Sequence, residues 1–279
     1  MSVTNRVIHG DCLEVLPRIA DDSIDLVYID PPFNTGRIQR RERLRTVRDT
    51  DGDRTGFSGH RYRTECVALD TGFDDAFEDY LAFLEPRLRE TRRVLKPTGS
   101  LYFHIDYREV HYCKVLLDRI FGRASFLNEI IWAYDYGART KKRWPAKHDN
   151  ILFYVKDPAL YHFDVSEIDR IPYLAPGLVG PEKAARGKLP TDTWWHTIVS
   201  PTGKEKLNYP TQKPLGILRR IVRASCPKGG VVLDFFAGSG TTGAAALACG
   251  RSFILVDNSH AAIATMRRRF DGLLGVSFE

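Results

Sequence analysis

A glycine-rich loop near the carboxyl end of the chain constrains the fold more than any other sequence feature. Gly238, Gly240 and Gly243 fit the pattern G-x-G-x-x-G, between the apolar run 231–233 and an alanine-rich segment of helical character. In a strand–loop–helix unit such glycines let the backbone approach a ligand, and the amino terminus of the helix favours negative charge. The pattern predicts an α/β fold that holds an adenosine-containing cofactor, of the NAD type or of the S-adenosylmethionine type.

The position of this loop indicates an unusual order of elements. Only residues 244–279 follow it, which leaves room for one helix, one strand and one more helix. A dinucleotide-binding fold usually begins with such a loop and builds its sheet afterwards. Most strands must here precede the loop, so the order is permuted and a nucleotide-linked oxidoreductase is disfavoured. The loop also lacks the lysine of a P-loop, and Ala237 stands where a hydrolase nucleophile elbow requires glycine.

A second motif ends the apolar strand that is predicted over residues 24–29. Asp30-Pro31-Pro32-Phe33 follows it directly, and two adjacent prolines cannot continue a strand because they lack N–H donors. The strand must therefore end there and present Asp30 at the carboxyl edge of the sheet. Open α/β sheets bind their ligands at this edge.

The same four residues suit chemistry at the exocyclic amino group of a nucleobase. Such a nitrogen is a poor nucleophile because its lone pair is delocalised into the ring. The carboxylate of Asp30 and the carbonyl of Pro31 can hold its two hydrogens, and the fixed φ of proline keeps that carbonyl in place. Phe33 offers a stacking face for a base that has left its duplex. Attack on an electrophilic methyl group then requires orientation, and we expect no metal.

Charge and composition permit a nucleic-acid partner without requiring one. Lysine and arginine number 41 against 35 acidic residues, which gives a net charge of +6, and the pI is about 9.0. The five cysteines form no C-x-x-C pair, which disfavours a zinc site and indicates a reduced protein. The amino-terminal residues have no apolar signal core, and no run is long enough to cross a bilayer. We therefore expect a cytoplasmic protein without a membrane partner.

Two segments interrupt the alternation of strands and helices. Residues 34–65 contain nine arginines and few apolar residues, which predicts a mobile basic loop. Residues 157–208 contain six prolines and are predicted to form an irregular insert or a small second domain. The remaining residues, 1–33, 66–156 and 209–279, are predicted to form the main domain.

Two smaller features admit either of two roles. Trp194 and Trp195, near the end of the insert, can stack on a nucleic acid or anchor the insert, and we expect anchoring because large aromatic side chains stabilise small irregular domains. A basic cluster can contact phosphates or simply form solvated surface. Its members are Arg139, Lys141, Lys142 and Arg143.

Six stretches, taken in order, resemble the β-class amino-DNA methyltransferases, which place the tetrad ahead of the cofactor loop. The stretches are Gly10-Asp11-Cys12-Leu13, Asp30-Pro31-Pro32-Phe33-Asn34-Thr35-Gly36, Leu95-Lys96-Pro97-Thr98-Gly99-Ser100-Leu101-Tyr102, His148-Asp149-Asn150-Ile151-Leu152, Tyr209-Pro210-Thr211-Gln212-Lys213-Pro214 and Asp234-Phe235-Phe236-Ala237-Gly238-Ser239-Gly240-Thr241-Thr242. The resemblance implies a Rossmann-like class I methyltransferase sheet with helices on both faces, a circularly permuted motif order and a small target-recognition insert. It also implies that the cofactor is S-adenosylmethionine.

The resemblance implies roles for individual residues. Asp30, Pro31, Pro32 and Phe33 correspond to the catalytic tetrad, and Asp30 also adjoins the cofactor. The other residues that the resemblance places around the cofactor are Asp11, Cys12, Thr211, Lys213, Asp234, Phe236, Gly238, Ser239, Gly240, Thr241 and Asp257. Within this set, Asp11 corresponds to the acidic residue near the adenine, and Asp257 to the ribose ligand, which is often glutamate in the family. Thr211 and Lys213 correspond to a segment that closes over the cofactor.

The resemblance leaves two target bases to choose between. Adenine N6 and cytosine N4 pose the same chemical problem, but an aspartate at the first tetrad position accompanies adenine more often in the family. The continuation Asn34-Thr35-Gly36 also resembles the adenine enzymes. We therefore expect an adenine-N6 DNA methyltransferase, with cytosine N4 as the alternative and an RNA or protein amino-group methyltransferase as a more distant one. Cytosine C5 chemistry is excluded because the chain has no Pro-Cys pair.

The resemblance also implies partners. Double-stranded DNA is the expected substrate, and residues 157–208 correspond to the target-recognition region, whose shortness suggests a short recognition sequence. A homodimer and a cognate restriction enzyme, as in restriction-modification systems, are expected from the family alone.

Overall fold

The chain divides into two units. The computed structural model describes residues 5–52, 54–55, 59–137, 140–200, 203–207 and 209–279, with the backbone alone over 37–46, 54 and 64–74. The larger unit is built from the residues up to Phe33 and from Asp79 onward, and the smaller unit is Asn34–Glu78.

Strands and helices alternate through most of the described residues. The strands are β1 (Asn5–His9), β2 (Ile24–Ile29), β3 (Arg37–Arg48), β4 (Arg54–Thr55), β5 (Arg61–Asp75), β6 (Leu95–Ile105), β7 (Phe126–Ala133), β8 (His148–Val155), β9 (Thr193–Trp195), β10 (Val231–Asp234), β11 (Ser252–Asp257) and β12 (Val276–Phe278). The helices are α1 (Cys12–Val15), α2 (Tyr80–Val94), α3 (Val110–Phe121), α4 (Pro181–Arg186), α5 (Leu215–Ser225), α6 (Thr241–Ala248) and α7 (His260–Arg269). Among the described residues, no helix combines the length and the apolar character that crossing a membrane requires.

Nine strands of the larger unit form one mixed sheet. Their order is β12-β1-β11-β10-β2-β6-β8-β7-β9. The first six are parallel to one another, β8 is antiparallel to both of its neighbours, and β9 is parallel to β7. Consequently β7 and β9 point in the same direction as β2. All strands except β8 therefore end at one edge of the sheet, here called the carboxyl edge, and the opposite edge is the amino edge.

Helices cover both faces of this sheet, which explains why its central strands are largely buried and rich in apolar residues. All six residues of β2 are buried, as expected for parallel strands that are covered on both sides. On β8, Phe153 belongs to a core cluster with residues of α5, α6 and α7. The next residue, Tyr154, contacts Phe121 of α3 and donates a hydrogen bond to Asp118 at 2.7 Å. Because consecutive strand residues point to opposite faces, α3 lies on the other side of the sheet.

The smaller unit corrects a prediction. β3 and β5 pair in antiparallel fashion from Arg37 opposite Asp75 to Arg48 opposite Tyr62, and β4 pairs with β5. The prediction of a loop over residues 34–65 is therefore wrong within the described residues, since 53 and 56–58 lie outside them. The boundary at 65 is also wrong, because the partner strand of β3 continues to Asp75. A hairpin satisfies its backbone hydrogen bonds internally, so it can form from a segment that is poor in apolar residues.

The insert at residues 157–208 is part of the larger unit. Asp164 N–H donates to the Ala224 carbonyl at 2.8 Å, and β9 extends the sheet beside β7. Trp194 is buried and donates from Nε1 to the Thr191 carbonyl at 2.7 Å. Trp195, by contrast, is 78% exposed. The anchoring expected of both tryptophans is therefore confirmed for Trp194 only, because alternate residues of β9 face opposite sides.

Candidate active site

Carboxylates stand at the ends of neighbouring parallel strands. Asp234 ends β10 and Asp257 ends β11, while Asp30 and Asp106 directly follow β2 and β6. These four strands are contiguous in the sheet, in the order β11-β10-β2-β6. The carboxyl edge therefore concentrates negative charge, as the sequence predicts for Asp30.

Asp30 uses its two oxygens differently. Oδ2 accepts a hydrogen bond from Nζ of Lys213, and the two side chains are only 16% and 11% exposed. Oδ1 is also buried, but it accepts no hydrogen bond from the described part of the chain. A buried acceptor without a donor is costly, so this oxygen is suited to an N–H group supplied by a ligand.

The rest of the tetrad is held by contacts on two sides. The Pro32 carbonyl accepts a hydrogen bond from the Tyr80 hydroxyl at 2.5 Å. The Phe33 ring lies with its centroid 5.9 Å from that of His104, and Lys213 Nζ is 5.1 Å from the Phe33 centroid. Pro31 is buried. The tetrad therefore has a fixed main chain and an aromatic ring supported from one side.

A chain of buried polar groups lies beneath this ring, and the sequence analysis did not predict it. Tyr28 Oη and His104 Nδ1 are 2.7 Å apart, and His104 Nε2 is 3.2 Å from Asp149 Oδ2. Tyr134 donates to the other oxygen of Asp149 at 3.0 Å. Burial alone raises the pKa of Asp149, but the hydrogen bond from His104 and the charges of His104 and Lys213 outweigh burial and lower it. His104 is fully buried, so both of its ring nitrogens serve to fix its orientation.

The cofactor loop, residues 234–243, is held at both ends by carboxylates. Asp234 accepts from the Phe236 N–H at 3.0 Å and from the Thr242 hydroxyl at 2.6 Å. Asp257 accepts from the Gly238 N–H at 2.7 Å and from the Ser259 N–H at 2.8 Å. Burial raises the pKa of Asp257 above its ordinary value. The predicted ribose ligand thus also fixes the loop.

The closing segment, residues 209–213, contacts both motifs. A Cβ atom at Gly238 would lie 3.0 Å from Cε1 of Tyr209, while Lys213 at the other end bonds Asp30. Between them Thr211 has a φ of +56° and an exposed side chain. Tyr209 was not among the predicted site residues, although it begins the stretch in which Thr211 and Lys213 occur. The segment therefore connects the loop to the tetrad.

Three of the predicted loop residues already have partners inside the protein. The hydroxyls of Ser239 and Thr241 are buried and 3.0 Å apart. Arg269 donates from Nε to the Ser239 carbonyl at 2.6 Å, and burial lowers the pKa of this guanidinium to about 10. The Gly240 N–H donates to the Ala237 carbonyl at 2.7 Å. These contacts help to fix the shape of the loop.

The adenine side of the predicted cofactor site is built by α1 and α2. Asp11 caps α1 by accepting from the Leu13 N–H at 2.8 Å, and Arg87 lies 3.7 Å from its carboxylate. Cys12 is buried, and its sulfur accepts from Arg87 Nε at 3.2 Å. The Phe236 ring lies 6.2 Å from that of Phe83. Cys12 therefore supports this wall through packing, whereas Asp11 keeps a partly exposed carboxylate.

The glycine conformation in the loop yields a first prediction. Gly240 has a φ of +73°, and a Cβ there would lie 2.8 Å from Cγ of Met266. Gly240→Ala should lower the free energy of unfolding by about 2–4 kcal/mol, which combines left-handed strain with overpacking. Gly250 is the matched control, because its φ is +72° with no atom within 4 Å. Urea titrations should show only about 1 kcal/mol for Gly250→Ala, and equal losses would contradict the close approach.

The buried carboxylate of Asp234 yields a second prediction, on the pH dependence of stability. Burial, reinforced by the charges of Asp30 and Asp257, raises the pKa of Asp234 from 3.8 to about 7. The folded state thus binds this proton more tightly, so the stability it contributes is complete below about pH 4 and is lost as the pH rises to 7. Asp234→Asn mimics the protonated form and does not titrate. Between pH 5 and pH 8 the free energy of unfolding of the wild-type protein should decrease by on the order of 2 kcal/mol relative to that of this variant. A difference in unfolding free energy that stays constant with pH would contradict the raised pKa.

Comparison with known proteins gives consistent results. The family model described as DNA methylase, which covers N6 and N4 transfer, matches residues 24–268. The DNA adenine methyltransferase YhdJ of Escherichia coli (strain K12) is 31% identical over 278 residues, covering 95% of this chain and 82% of that protein. The Type II methyltransferase M.HpaI of Haemophilus parainfluenzae is 29% identical over 266 residues, covering 95% and 74%.

A solved structure is similar over nearly the whole chain. The M1.HpyAVI–SAM complex superposes with a TM-score of 0.60 at 20% sequence identity, covering 95% of this chain and 98% of that one. At this identity the similarity concerns the fold alone, and it confirms the Rossmann-like sheet predicted from the sequence.

Proposed function

The chain belongs to the DNA methylase family of N6 and N4 amino methyltransferases, and from this premise we propose that it methylates the N6 amino group of adenine in double-stranded DNA. The methyl donor is S-adenosylmethionine, and the adenine is flipped out of the duplex. Similarity to a DNA adenine methyltransferase favours adenine over cytosine. The observation that supports the reaction most directly is the pair of unlike oxygens on Asp30: one is bonded to Lys213, and the other is buried without a hydrogen-bond donor among the described residues.

The described residues suit a cationic, adenosine-containing cofactor. When bound, S-adenosylmethionine supplies an electrophilic methyl group on a positively charged sulfur. Asp30 and Asp257 are partly buried carboxylates at one edge, and negative charge there favours such a ligand. Gly238 leaves no room for a side chain beside Tyr209. We propose that the cofactor loop holds the methionine part and that Asp257 and Asp11 hold the ribose and the adenine.

Asp30 acts on the target nitrogen through its free oxygen. Oδ1 accepts one hydrogen of the amino group, and the Pro31 carbonyl accepts the other, which draws the nitrogen out of conjugation with the ring. The lone pair then points away from the ring and can attack. Lys213 holds Oδ2, so the carboxylate does not rotate, and Oδ1 stays in place to accept the proton that the amino group loses and to pass it to solvent. Holding both reactants in line supplies much of the acceleration.

Phe33 receives the flipped base. Its ring is supported by His104, which is itself fixed through Tyr28 and Asp149. A pre-oriented aromatic face lowers the cost of taking a base out of the stack, which is a few kcal/mol. Tyr28, His104 and Asp149 are therefore positioning residues for Phe33.

The finer assignments about partners are proposals too. We propose that residues 157–208 read the target sequence, since this insert supplies β9, the last strand of the sheet, which pairs with β7. Similarity to a Type II methyltransferase is consistent with a cognate restriction enzyme, and a homodimer remains an expectation from the family. A DNA substrate is consistent with a cytoplasmic location.

The activity is tested by the product. DNA of mixed sequence is incubated with the protein and methyl-labelled S-adenosylmethionine, and its nucleosides are separated by mass spectrometry. Labelled N6-methyladenine is the expected result. Labelled N4-methylcytosine would keep the mechanism but overturn the choice of base, whereas cofactor binding without labelled DNA would overturn DNA as the substrate.

A further inference from the structure

A basic and aromatic connection leaves the sheet beside the proposed active site. It comprises residues 134–147 between β7 and β8, here called the β7–β8 connection. We infer that this connection seats the DNA duplex, with its lysines and Arg143 on phosphates and Trp144 stacked against a base next to the flipped adenine. This inference rests on the proposed function and assigns the surface that binds its substrate.

The topology places the connection at the carboxyl edge. β7 runs in the same direction as β2, so the connection begins at the edge where Asp30 follows β2. It is closed at its base by a hydrogen bond of 2.9 Å from the Tyr134 N–H to the Lys147 carbonyl. Farther out, Arg143 donates to the Tyr107 hydroxyl at 3.2 Å. Tyr107 lies two residues beyond the end of β6, the strand next to β2, so the connection bends toward the tetrad.

The charge of the connection is uncompensated. Lys141, Lys142 and Arg143 are all exposed, and among the described residues none of them forms an ion pair with a carboxylate. The only acidic side chain of the connection, Asp135, lies 3.6 Å from Lys147. Arg139 belongs to the same sequence run but lies outside the described residues. Exposed cations without carboxylate partners attract a polyanion.

A basic cluster at the amino edge differs in this respect. Arg93 there bonds Glu90 at 2.6 Å and also Asp21, and Lys156 bonds Asp22. These cations are neutralised within the protein, which is the ordinary arrangement for a structural surface. The contrast distinguishes the β7–β8 connection from this pair of cations at the amino edge.

Two exposed tryptophans belong to the β7–β8 connection or lie at its base. Trp144 is 95% exposed and directly follows Arg143, and Trp195 is 78% exposed. Trp195 pairs in register with Ala133, the last residue of β7, so it stands at the base of the connection. Tryptophan side chains are usually buried, so an indole this exposed to water is uncommon. A nucleobase can stack on its face and cover it. Cations beside exposed aromatics favour nucleic acid over an apolar partner.

The first test measures the salt dependence of binding. A labelled duplex is titrated by fluorescence anisotropy with Lys141→Ala/Lys142→Ala, and with Arg18→Ala/Arg92→Ala as the matched control. Arg18 and Arg92 are exposed and precede the amino ends of β2 and β6. The slope of log K against log salt should decrease in magnitude by about 2 for the lysine pair and remain unchanged for the arginine pair. Equal changes in both variants would overturn the inference.

The second test addresses stacking. Trp144→Ala should weaken duplex binding about tenfold, and the quenching of tryptophan fluorescence by DNA should decrease. Tyr161→Ala is the aromatic control, because Tyr161 is partly exposed and follows β8 at the amino edge. Affinity within twofold of wild type for Trp144→Ala would overturn the role of the indole.

Product analysis keeps this inference separate from the proposed function. Wild-type protein that binds the cofactor but labels no DNA contradicts the proposed function itself. Wild-type protein that labels DNA, with both variants also binding and labelling DNA normally, contradicts only the assignment of the surface. Preferential binding and labelling of RNA would contradict both.

Discussion

Replacing Asp30 by alanine should lower methyl transfer by at least about 10²–10³-fold, the usual loss when one preorganised hydrogen-bonding group is removed from a reaction centre. The buried Oδ1 atom has no partner in the described residues, and in this variant the target amino group loses its acceptor. Affinity for S-adenosylmethionine should change only a few-fold, because Asp234 and Asp257 hold the cofactor loop independently. Single-turnover transfer and calorimetric cofactor binding measure the two effects.

Folding is the main complication of this variant. Asp30→Ala leaves the Lys213 ammonium buried without its partner, which can cost about 3–5 kcal/mol. The double variant Asp30→Ala/Lys213→Met removes both charges and should recover stability, but not transfer. Near-normal turnover in either variant would refute the role of Asp30.

Lys213→Met completes the comparison. It leaves the Asp30 carboxylate without the bond that fixes Oδ2, so transfer should decrease less than with Asp30→Ala. A loss as large as that of Asp30→Ala would indicate that the lysine itself contacts a reactant.

Replacing Asp257 by asparagine should raise the dissociation constant for S-adenosylmethionine about 10- to 100-fold, since hydrogen bonds to charged groups contribute about 1.5–3 kcal/mol. Both oxygens of Asp257 accept main-chain N–H groups, from Gly238 and from Ser259. Asparagine replaces one of these acceptor oxygens by an NH2 group, which cannot accept from a main-chain N–H, so the substitution disrupts the loop as well as the ribose contact. Equilibrium binding of the cofactor measures the effect.

The control for this substitution is Asp271→Asn. Asp271 is exposed beyond α7 and changes the net charge by the same amount. Cofactor affinity should remain at the wild-type value in this variant. If Asp257→Asn also binds normally, with the protein folded as judged by its urea transition, the assignment of Asp257 is wrong.

The sequence predicts the central strands well because two local signals identify them: an apolar segment, and the prolines or glycines that follow it. Ile24–Ile29 is apolar except for Asp25, two prolines shortly after it must end the strand, and the predicted bounds agree with β2. The loop after β10 is likewise fixed by glycines with positive φ at residues 238 and 240. Both signals are local, since they depend on N–H donors and on backbone conformations that one residue type allows.

The hairpin at residues 34–78 shows where local signals are insufficient. β3 is arginine-rich, and no apolar periodicity identifies it as a strand. Its structure depends on pairing with β5, whose partner residues lie up to 38 positions away, as for Arg37 opposite Asp75. Composition indicates which segments are buried. Antiparallel pairing, however, satisfies the backbone hydrogen bonds of a strand even where its side chains are not buried.

The site divides in the same way. The sequence by itself determined the chemical groups: a carboxylate ahead of two prolines, an aromatic ring, a glycine loop and the strand-ending Asp257, all of which lie at one sheet edge because parallel strands end together. Tertiary structure alone decided which oxygen of Asp30 lacks a donor among the described residues and which one Lys213 bonds. It also decided that His104 supports the ring of Phe33. These contacts join residues 71 to 183 positions apart, and hydrogen bonds and ring contacts over such separations depend on how the sheet orders its strands, which no spacing along the chain records.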